Sequence, residues 1–498
     1  MLPISRRRPA YDPDPTVEVR LTGTKPVSEV DRRYLSFSID ISVFAGGFWW
    51  EGSDSAKRGL GTLPVPPLNL RSKKLSRLAA ALAPAYLRIG GSEADKIHYF
   101  ERPRGDAESL VLEREQWDDL HAFTRANSLD LIFTCKYGLF KRSEHGSWEG
   151  SELEQLLRYS RERGYWIDVF ELGNELNAYW AFHGLHAQPG ARKLASDYDT
   201  FIELVRRYYP AARISGPGSA YWPRLGETIR PFTNLTPRFL AKLKTDLDIV
   251  DWHYYPFQSE RSPVRTRAAK LQRLVDPKSF NDFRRYSRRL RRLRDRFQPQ
   301  AELWTGETGS AQCGGQPYLS DRWASAFWWA EQLGQGARQG QSVMVRQALV
   351  GGDYGMVDRL TLRIRPDYWV SWLWRQLMGT EVYAVNSGSG ELRCYLHSAA
   401  RGHGYTLLLI NLSDAPTPVV LHGLGLATAA YTATAKSLTS RRIRINGRRP
   451  SFNKGRVSLA DFPHKAPENT LPPYSICFWC LASLTQSAPL SLGHQSAA

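Results

Sequence analysis

Trp166-Ile-Asp-Val-Phe-Glu-Leu-Gly-Asn-Glu175 sets the reading of this chain. An apolar run too short for a helix gives way at once to Gly, Asn and Glu. A buried strand that ends at a functional edge has that appearance. Seven further runs follow the same plan: 35–41 (LSFSIDI), 86–90 (YLRIG), 129–136 (LDLIFTCK), 212–216 (ARISG), 247–254 (LDIVDWHY), 302–306 (ELWTG) and 343–350 (VMVRQALV). Between about residues 34 and 352 they alternate with longer helical stretches, which predicts βαβ units and a parallel sheet. Eight parallel strands fit a closed α/β fold, the (β/α)8 TIM barrel. The polar, Gly or aromatic ends of the runs then mark its active face.

Outside the barrel the pattern changes. From about 380 to 485, strand patterns return without helices. Glu391-Leu-Arg-Cys-Tyr-Leu-His, Tyr405-Thr-Leu-Leu-Leu-Ile-Asn and Tyr474-Ser-Ile-Cys-Phe-Trp-Cys are separated by Gly, Pro, Asn and Ser clusters, which predicts an accessory β-sandwich. Near the start, Thr16-Val-Glu-Val-Arg-Leu alternates apolar and polar like a half-buried antiparallel strand. It is expected to join the sandwich and so place both ends of the chain in one domain. The expected division is a loose tail at 1–16, an N-terminal strand segment at 17–33, the catalytic barrel at 34–380, the sandwich at 381–485 and a disordered tail at 486–498. No internal repeat of 20–50 residues is visible.

The 498 residues suffice for a barrel with an accessory domain, and 42% apolar against 23% charged residues excludes wholesale disorder. The 16 Trp and 23 Tyr can fill cores or stack on sugar rings. A net charge of +18 and a pI of about 9.7 predict an anionic partner, although an arginine excess also follows from GC-rich coding. Zinc-finger spacing, RNP-like aromatics and helix-turn-helix units are absent from the sequence, so an acidic polysaccharide or an acidic membrane surface is expected rather than nucleic acid. A monomer is expected. The five cysteines, Cys135, Cys313, Cys394, Cys477 and Cys480, are odd in number and read as reduced thiols. Cys477-Phe-Trp-Cys480 reads as two small core residues of a strand rather than a zinc or redox pair. Met1-Leu-Pro-Ile-Ser-Arg-Arg-Arg shows no apolar stretch after its arginines, so no secretory signal is read there. No apolar run reaches the length of a membrane span.

The chemistry rests on two carboxylates. Glu175 ends the fourth run, in Phe170-Glu-Leu-Gly-Asn-Glu175, and Glu307 ends the seventh, in Trp304-Thr-Gly-Glu307-Thr. Glycoside cleavage needs such a pair: one carboxylic acid to protonate the leaving oxygen, one carboxylate to attack the anomeric carbon. Strands four and seven lie across a barrel of this size, so their side chains can converge over its mouth. Neither a metal nor an organic cofactor is expected. A nucleophilic Glu needs donors that keep it ionised, and Arg88 and Tyr255 are candidates.

Six segments carry a family likeness: Tyr86-Leu-Arg-Ile-Gly-Gly, Glu171-Leu-Gly-Asn-Glu, Trp252-His-Tyr-Tyr, Gly306-Glu-Thr-Gly-Ser-Ala, Val345-Arg-Gln and Pro366-Asp-Tyr-Trp. Together they resemble glycoside hydrolase family 79, the heparanase and β-glucuronidase family of clan A. The resemblance runs from about 34 to 385 and weakly on through Leu471-Pro-Pro-Tyr-Ser. It implies Glu175 as general acid/base and Glu307 as nucleophile of a retaining enzyme. Asn174 would bond the sugar 2-hydroxyl, and His253 and Tyr255 would lie by the nucleophile. Asp40 and Ser92 would contact the −1 sugar. Gly314, Gly315 and Tyr354 would hold the uronate carboxylate through backbone N–H groups and a phenol. The chain departs from the heparanase pattern at Gln312-Cys313-Gly314-Gly315, where that pattern has Tyr before three glycines. Residues 216–226 (GPGSAYWPRLG) do not align with the heparanase basic loop.

Residues 283–296 form a basic stretch. Phe283, Tyr286, Leu290, Leu293 and Phe297 recur at helical spacing, and Arg284, Arg285, Arg288, Arg289 and Arg292 occupy the remaining positions. This predicts an outer barrel helix whose arginines are either a solvated face or a patch for polyanionic chains. Three functions remain open at this stage: an endo-β-glucuronidase of heparanase type, an exo-β-glucuronidase releasing terminal glucuronate, or a catalytically silent polysaccharide binder. The presence of both glutamates counts against the last.

Overall fold

The eight runs lie side by side in chain order and close on themselves. A computed structural model describes residues 16–52, 61–102, 109–138, 147–223, 225–227, 234–453, 455–463 and 465–485. The expected tails at 1–15 and 486–498 lie outside the described residues. The barrel strands are β1 (Leu35–Asp40), β2 (Ala85–Gly90), β3 (Leu129–Cys135), β4 (Val169–Leu172), β5 (Arg213–Trp222), β6 (Ile249–Tyr254), β7 (Glu302–Thr308) and β8 (Val343–Arg346). Every neighbouring pair is parallel, and the pairing of β8 with β1 closes the ring. The helices α1 (Lys73–Ala80), α2 (Arg114–Ala126), α3 (Ser151–Glu162), α4 (Ala191–Tyr208), α5 (Leu235–Leu240), α6 (Asn281–Phe297), α7 (Trp323–Arg338) and α8 (Pro366–Leu377) follow the strands in turn. Strands covered on both faces are apolar along most of their length, which is why the runs are legible in the sequence.

Inside the ring, the two-residue period of a strand builds layers. Tyr86, Ile132, Val169, Ile249, Trp304 and Val343 form a dry plug at the N-terminal end, with Tyr86 and Trp304 ring centroids 4.9 Å apart. Two residues further along the same strands stand Arg88, Thr134, Glu171 and Asp251, all buried. The barrel is therefore apolar at its base and charged towards its C-terminal mouth.

One strand differs in extent from the sequence reading. The run at 212–216 continues to Trp222, because the Gly-Pro-Gly that looked like a terminator is a bulge: the register against β6 shifts between Pro217 and Ser219. A second register shift, against β6 at Trp252/His253, leaves Gly306 of β7 without a partner. Trp304 and Gly306 share the inward parity, so an unbroken strand would aim Glu307 outward. The extra residue turns Glu307 into the barrel. Only glycine fits there, since a Cβ on Gly306 would run into the Asp251 carboxylate, which accepts the Gly306 N–H at 2.6 Å.

The first and last strands of the described residues share a β-sandwich. One sheet contains β9 (Met378–Tyr383), β10 (Leu392–Ala399), β11 (Tyr405–Asn411), β12 (Ala427–Ala435) and β13 (Ser475–Leu481), with the short strands Ser28–Glu29 and Ile443–Ile445 at its edges. The other joins Val385–Asn386, Val17–Leu21, Thr417–His422 and Thr470–Leu471. Val19, Leu21, Leu396, Leu407, Val419 and Trp479 fill the space between. The alternation in Val17–Leu21 predicted an antiparallel strand. The strand pairs antiparallel with Val385–Asn386 but parallel with Thr417–His422, since alternation reports burial of one face and not direction. All five cysteines are free thiols. Cys477 and Cys480 stand three apart on β13 and so point to opposite faces.

Barrel and sandwich are clamped through α7, whose residues are buried from Trp323 to Ala337. Gly334 allows the contact, because a Cβ there would overlap the Tyr395 ring of β10. Gly334→Ala gains about 1 kcal/mol of helix propensity but overpacks at a cost of about 1–3 kcal/mol. It is therefore expected to lower the thermal unfolding midpoint, and a raised midpoint would show that the two units are not locked by this contact.

Candidate active site

Polar side chains gather at the C-terminal mouth around Arg88. Its guanidinium is buried and uses three nitrogens: Nε to Glu171 Oε2 at 2.8 Å, Nη1 to Glu307 Oε2 at 2.7 Å, and Nη2 to Asn174 Oδ1 at 3.0 Å. Thr134 Oγ1 also donates to Glu171 Oε2, at 2.7 Å. The second oxygen of Glu307 accepts the Tyr255 hydroxyl at 2.6 Å. Both Glu307 oxygens thus face donors. Burial opposes its ionisation, yet His253, Arg88 and Tyr255 outweigh burial and hold its pKa below the ordinary carboxyl value.

Glu175 is in the opposite state. It follows Gly173 and Asn174 at the end of β4, with φ +51° and ψ +47°. This left-handed conformation costs a non-glycine residue about 1–2 kcal/mol, and it is held here by Asp95, which accepts the Asn174 N–H at 3.0 Å. Burial raises the Glu175 pKa. The nearby Glu307 charge adds to the rise, and the hydrogen bond from His253 offsets it only in part. His253 Nδ1 lies 3.3 Å from Glu175, and Nε2 lies 3.6 Å from Asp251. Burial works against a charge on His253, but Glu307, Asp251 and Glu175 prevail and push its pKa up to about 10.

Ligating atoms of Glu175, Glu307 and His253 all lie within 4.8 Å of one another. A divalent ion could use that spacing, but it would stand beside the Arg88 guanidinium and a protonated His253. The charges already present suit proton chemistry better.

The described fold and site can be set beside known proteins. The N-terminal domain model of glycosyl hydrolase family 79 matches residues 16–334. The chain belongs to glycoside hydrolase family 79. It is 27% identical to the heparanase of Bos taurus, covering 95% of this chain and 93% of that protein. It is also 27% identical to heparanase-like protein 1 of Arabidopsis thaliana, covering 84% and 78%. Among solved structures, a family 51 α-L-arabinofuranosidase from Bifidobacterium longum superposes with a TM-score of 0.66 at 15% identity, covering 94% of this chain and all of that one. That likeness concerns the TIM-barrel fold. The protein is a heparanase-like glycosidase of family 79.

The remaining residues expected from family 79 fall around this centre in different ways. Asp40 ends β1, accepts the Ser42 N–H at 3.0 Å and Gln347 Nε2 at 3.2 Å, and is pushed by burial up to about 8. Ser92 is half-buried in the turn after β2. Tyr354 is buried against Tyr255, with centroids 6.5 Å apart, and feels the charges of Asp40 and Glu307. Gly314 and Gly315 take φ of +74° and +89°, the first beside Trp50 and the second beside Tyr354. The Gly315 N–H already donates to the Gln312 carbonyl at 3.2 Å, and the Gly314 carbonyl accepts the Asp353 N–H at 2.6 Å. The turn is thus tied to Gln312 and Asp353 through the backbone, and the Gly315 carbonyl accepts Ser259 Oγ at 2.9 Å and Arg261 Nη1 at 3.2 Å. Cys313 is mostly buried beside it, and burial lifts its thiol to about 11.

Of the basic helix, Arg284, Arg285, Arg288 and Arg292 are exposed, whereas Arg289 is half-buried and donates to Asn234 at 2.9 Å. These arginines lie on the barrel flank and touch none of the residues around Arg88. Sequence reasoning missed Glu171, Asp251, Thr134 and Gln347. The signal was present: Arg88, Glu171 and Asp251 are charges in the middle of apolar runs, at positions whose parity faces the barrel interior.

His253→Gln removes the positive charge that holds both carboxylates down. If Glu307 works ionised, loss of that charge raises its pKa and moves the acid limb of kcat/KM to higher pH; if Glu175 works protonated, its pKa rises too and the basic limb moves up as well. The whole profile on a small chromogenic glycoside is expected to shift to higher pH. An unmoved acid limb would show that His253 is neutral in the free enzyme.

Proposed function

We propose that this family 79 glycosidase is a retaining β-glucuronidase that cuts within acidic polysaccharide chains of the heparan sulfate type. Glu307 serves as nucleophile and Glu175 as general acid/base. The observation that carries the reading is a pair of carboxylates, oxygens within 4.8 Å, biased to opposite protonation states. Retaining enzymes place the two groups about 5–5.5 Å apart, whereas inverting enzymes leave room for a water at roughly 6.5–9.5 Å.

In this mechanism Glu307 attacks the anomeric carbon while Glu175 gives its proton to the departing oxygen. Glycosylation of Glu307 removes the charge that added to the effect of burial on the Glu175 pKa, which therefore falls. Glu175 is then suited to take a proton from the water that hydrolyses the ester. Asn174, oriented by Arg88, contacts the 2-hydroxyl. Asp40, Ser92, His253 and Tyr255 bind the rest of the −1 sugar. Tyr354 and the Gly314 N–H receive the uronate carboxylate, while Gly315, whose N–H is given to Gln312, shapes the turn. Two observations support a polymeric acidic substrate: the relatives bear the name heparanase, and the chain has a net charge of +18.

Glu307→Gln is expected to reduce turnover to background with the fold intact by circular dichroism. Glu175→Gln is expected to lose about 10²–10⁴-fold on a poor leaving group and to recover on an activated aryl glucuronide, which needs no protonation. Recovery in Glu307→Gln instead would reverse the two roles.

The wild-type enzyme is expected to hydrolyse an aryl β-glucuronide in preference to the matching β-glucoside, with a first-formed product of β configuration by proton NMR. Preference for the glucoside would remove the uronate reading, and an α product would remove retention. On heparan sulfate the chain length is expected to fall before free glucuronate accumulates. The reverse order would make the enzyme exo-acting.

A further inference from the structure

The excess positive charge is not spread evenly over the molecule. A groove of about 1010 Å³ opens where the barrel meets the sandwich, and six cations line it: Lys74, Arg77, Arg363, Arg441, Arg442 and Arg449. Among its described lining residues there is no Asp or Glu. Arg441 pairs with the buried Asp321 at 3.0 Å, and Lys74 donates to the Thr361 carbonyl at 2.9 Å. Arg77, Arg442 and Arg449 are exposed. The floor is apolar, with Leu78, Ile443 and the half-buried Phe452 beside Trp369, its ring centroid 5.8 Å away.

A hollow at the start of α6 makes the contrast. It is also rich in cations, with Arg267, Arg273, Lys278 and Arg285, but Asp276 and Asp282 stand among them and Arg267 is ion-paired with Asp282.

Asp321 offsets the charge of Arg441, but Arg77, Arg442 and Arg449 stand exposed around one concavity and repel one another, and salt screens that repulsion only beyond about 8 Å at physiological strength. An anionic chain laid in the groove would relieve it and release condensed counterions. Arginine forks bind carboxylate and phosphate oxygens in pairs, and sulfate presents the same oxygen geometry. The apolar floor suits the carbon–hydrogen faces of sugar rings.

The groove also lies on the correct side of the barrel. Lys74 and Arg77 belong to the first two turns of α1, and Trp369 to the first turn of α8. Helices that follow barrel strands begin at the active face. The loop between β8 and α8 serves both places. Its early part carries Tyr354, by Glu307, and its late part supplies Arg363 to the groove. In between, Arg359 is ion-paired with Glu51, next to Trp50, which flanks Gly314.

We propose that this junction groove is a second, non-catalytic binding site for an anionic glycan, holding one stretch of a sulfated or uronate-bearing chain while another stretch occupies the active site. The proposal rests on the acidic-polysaccharide reading above, and its test separates the two. The triple variant Arg77→Ala/Arg442→Ala/Arg449→Ala and its lysine counterpart are compared with wild type. The probes are a fluorescent heparin 20-saccharide, a hyaluronan 20-saccharide and a 20-base-pair DNA duplex. Aryl β-glucuronide hydrolysis is measured alongside.

The alanine variant is expected to bind heparin about tenfold more weakly, with the slope of log K against log salt reduced by about two to three. The lysine variant is expected to retain most of the affinity, and aryl glucuronide hydrolysis to remain unchanged. Heparin affinity within twofold of wild type would overturn the proposal. So would a larger loss for the DNA duplex than for both glycans, which would make nucleic acid the occupant. A control triple on α6, Arg284→Ala/Arg288→Ala/Arg292→Ala, that alone weakens heparin binding would place the site there instead. If wild type fails to cleave aryl glucuronide yet binds heparin through the groove, the activity reading falls and the groove stands. Cleavage with groove-independent binding gives the reverse.

Discussion

The charged network at the barrel mouth depends on one buried guanidinium. Arg88 is buried within the barrel, essentially without solvent, and is shared by Glu171, Glu307 and Asn174. Removing one partner of a buried ion pair typically costs about 3–5 kcal/mol, because the other is left uncompensated. Here the cation does more than balance charge. It holds Glu307 ionised in a place where burial would protonate it, and it fixes the amide that follows Gly173. Glu171 and Thr134 in turn hold Arg88 in position from below. The mouth of the barrel is therefore one connected network, and the state of each acid depends on where the few positive charges lie.

Two backbone irregularities place the carboxylates on that network. The bulge at Gly306 reverses the parity of β7 so that Glu307 faces inward, and the left-handed residue at the end of β4 aims Glu175 across the mouth. Regular strands and turns would have left one carboxylate outside the barrel and the other out of reach. Asp251 links the two features, since one oxygen accepts the Gly306 N–H and the other stands 3.6 Å from the His253 that contacts Glu175. The asymmetry in protonation follows from this arrangement. Glu307 has two donors at close range, and Glu175 has one at 3.3 Å.

The sandwich is joined to the barrel through α7, and the junction creates surface that neither unit has alone. Cations from α1, the β8–α8 loop and the 441–449 segment are far apart in sequence and meet in one groove. The continuous arginine run in α6 drew more notice in the sequence, yet the hollow at its start is shared with carboxylates. Local charge density along a chain and charge density on a surface are separate quantities, and only the latter acts on a polyanion.

What the sequence determined by itself was whatever depends on local pattern. Strands buried on both faces are apolar along most of their length, so eight runs in alternation with helices announced the barrel. Glu175 and Glu307 were legible because each stood where such a run stopped. The sandwich and the entry of Val17–Leu21 into it were legible from alternation, though not the direction of pairing. Tertiary structure alone decided the rest. Gly216-Pro217-Gly218 read as an end and is a bulge, because whether a glycine stops or kinks a strand depends on the neighbouring strand's hydrogen bonds. The Gly306 bulge could not be read for the same reason. Arg88, Glu171 and Asp251 were visible as charges within apolar runs, but their pairing required the barrel to close. Electrostatic coupling acts through space over a few ångströms, and the distance between residues 88 and 307 is set by ring closure rather than by sequence separation.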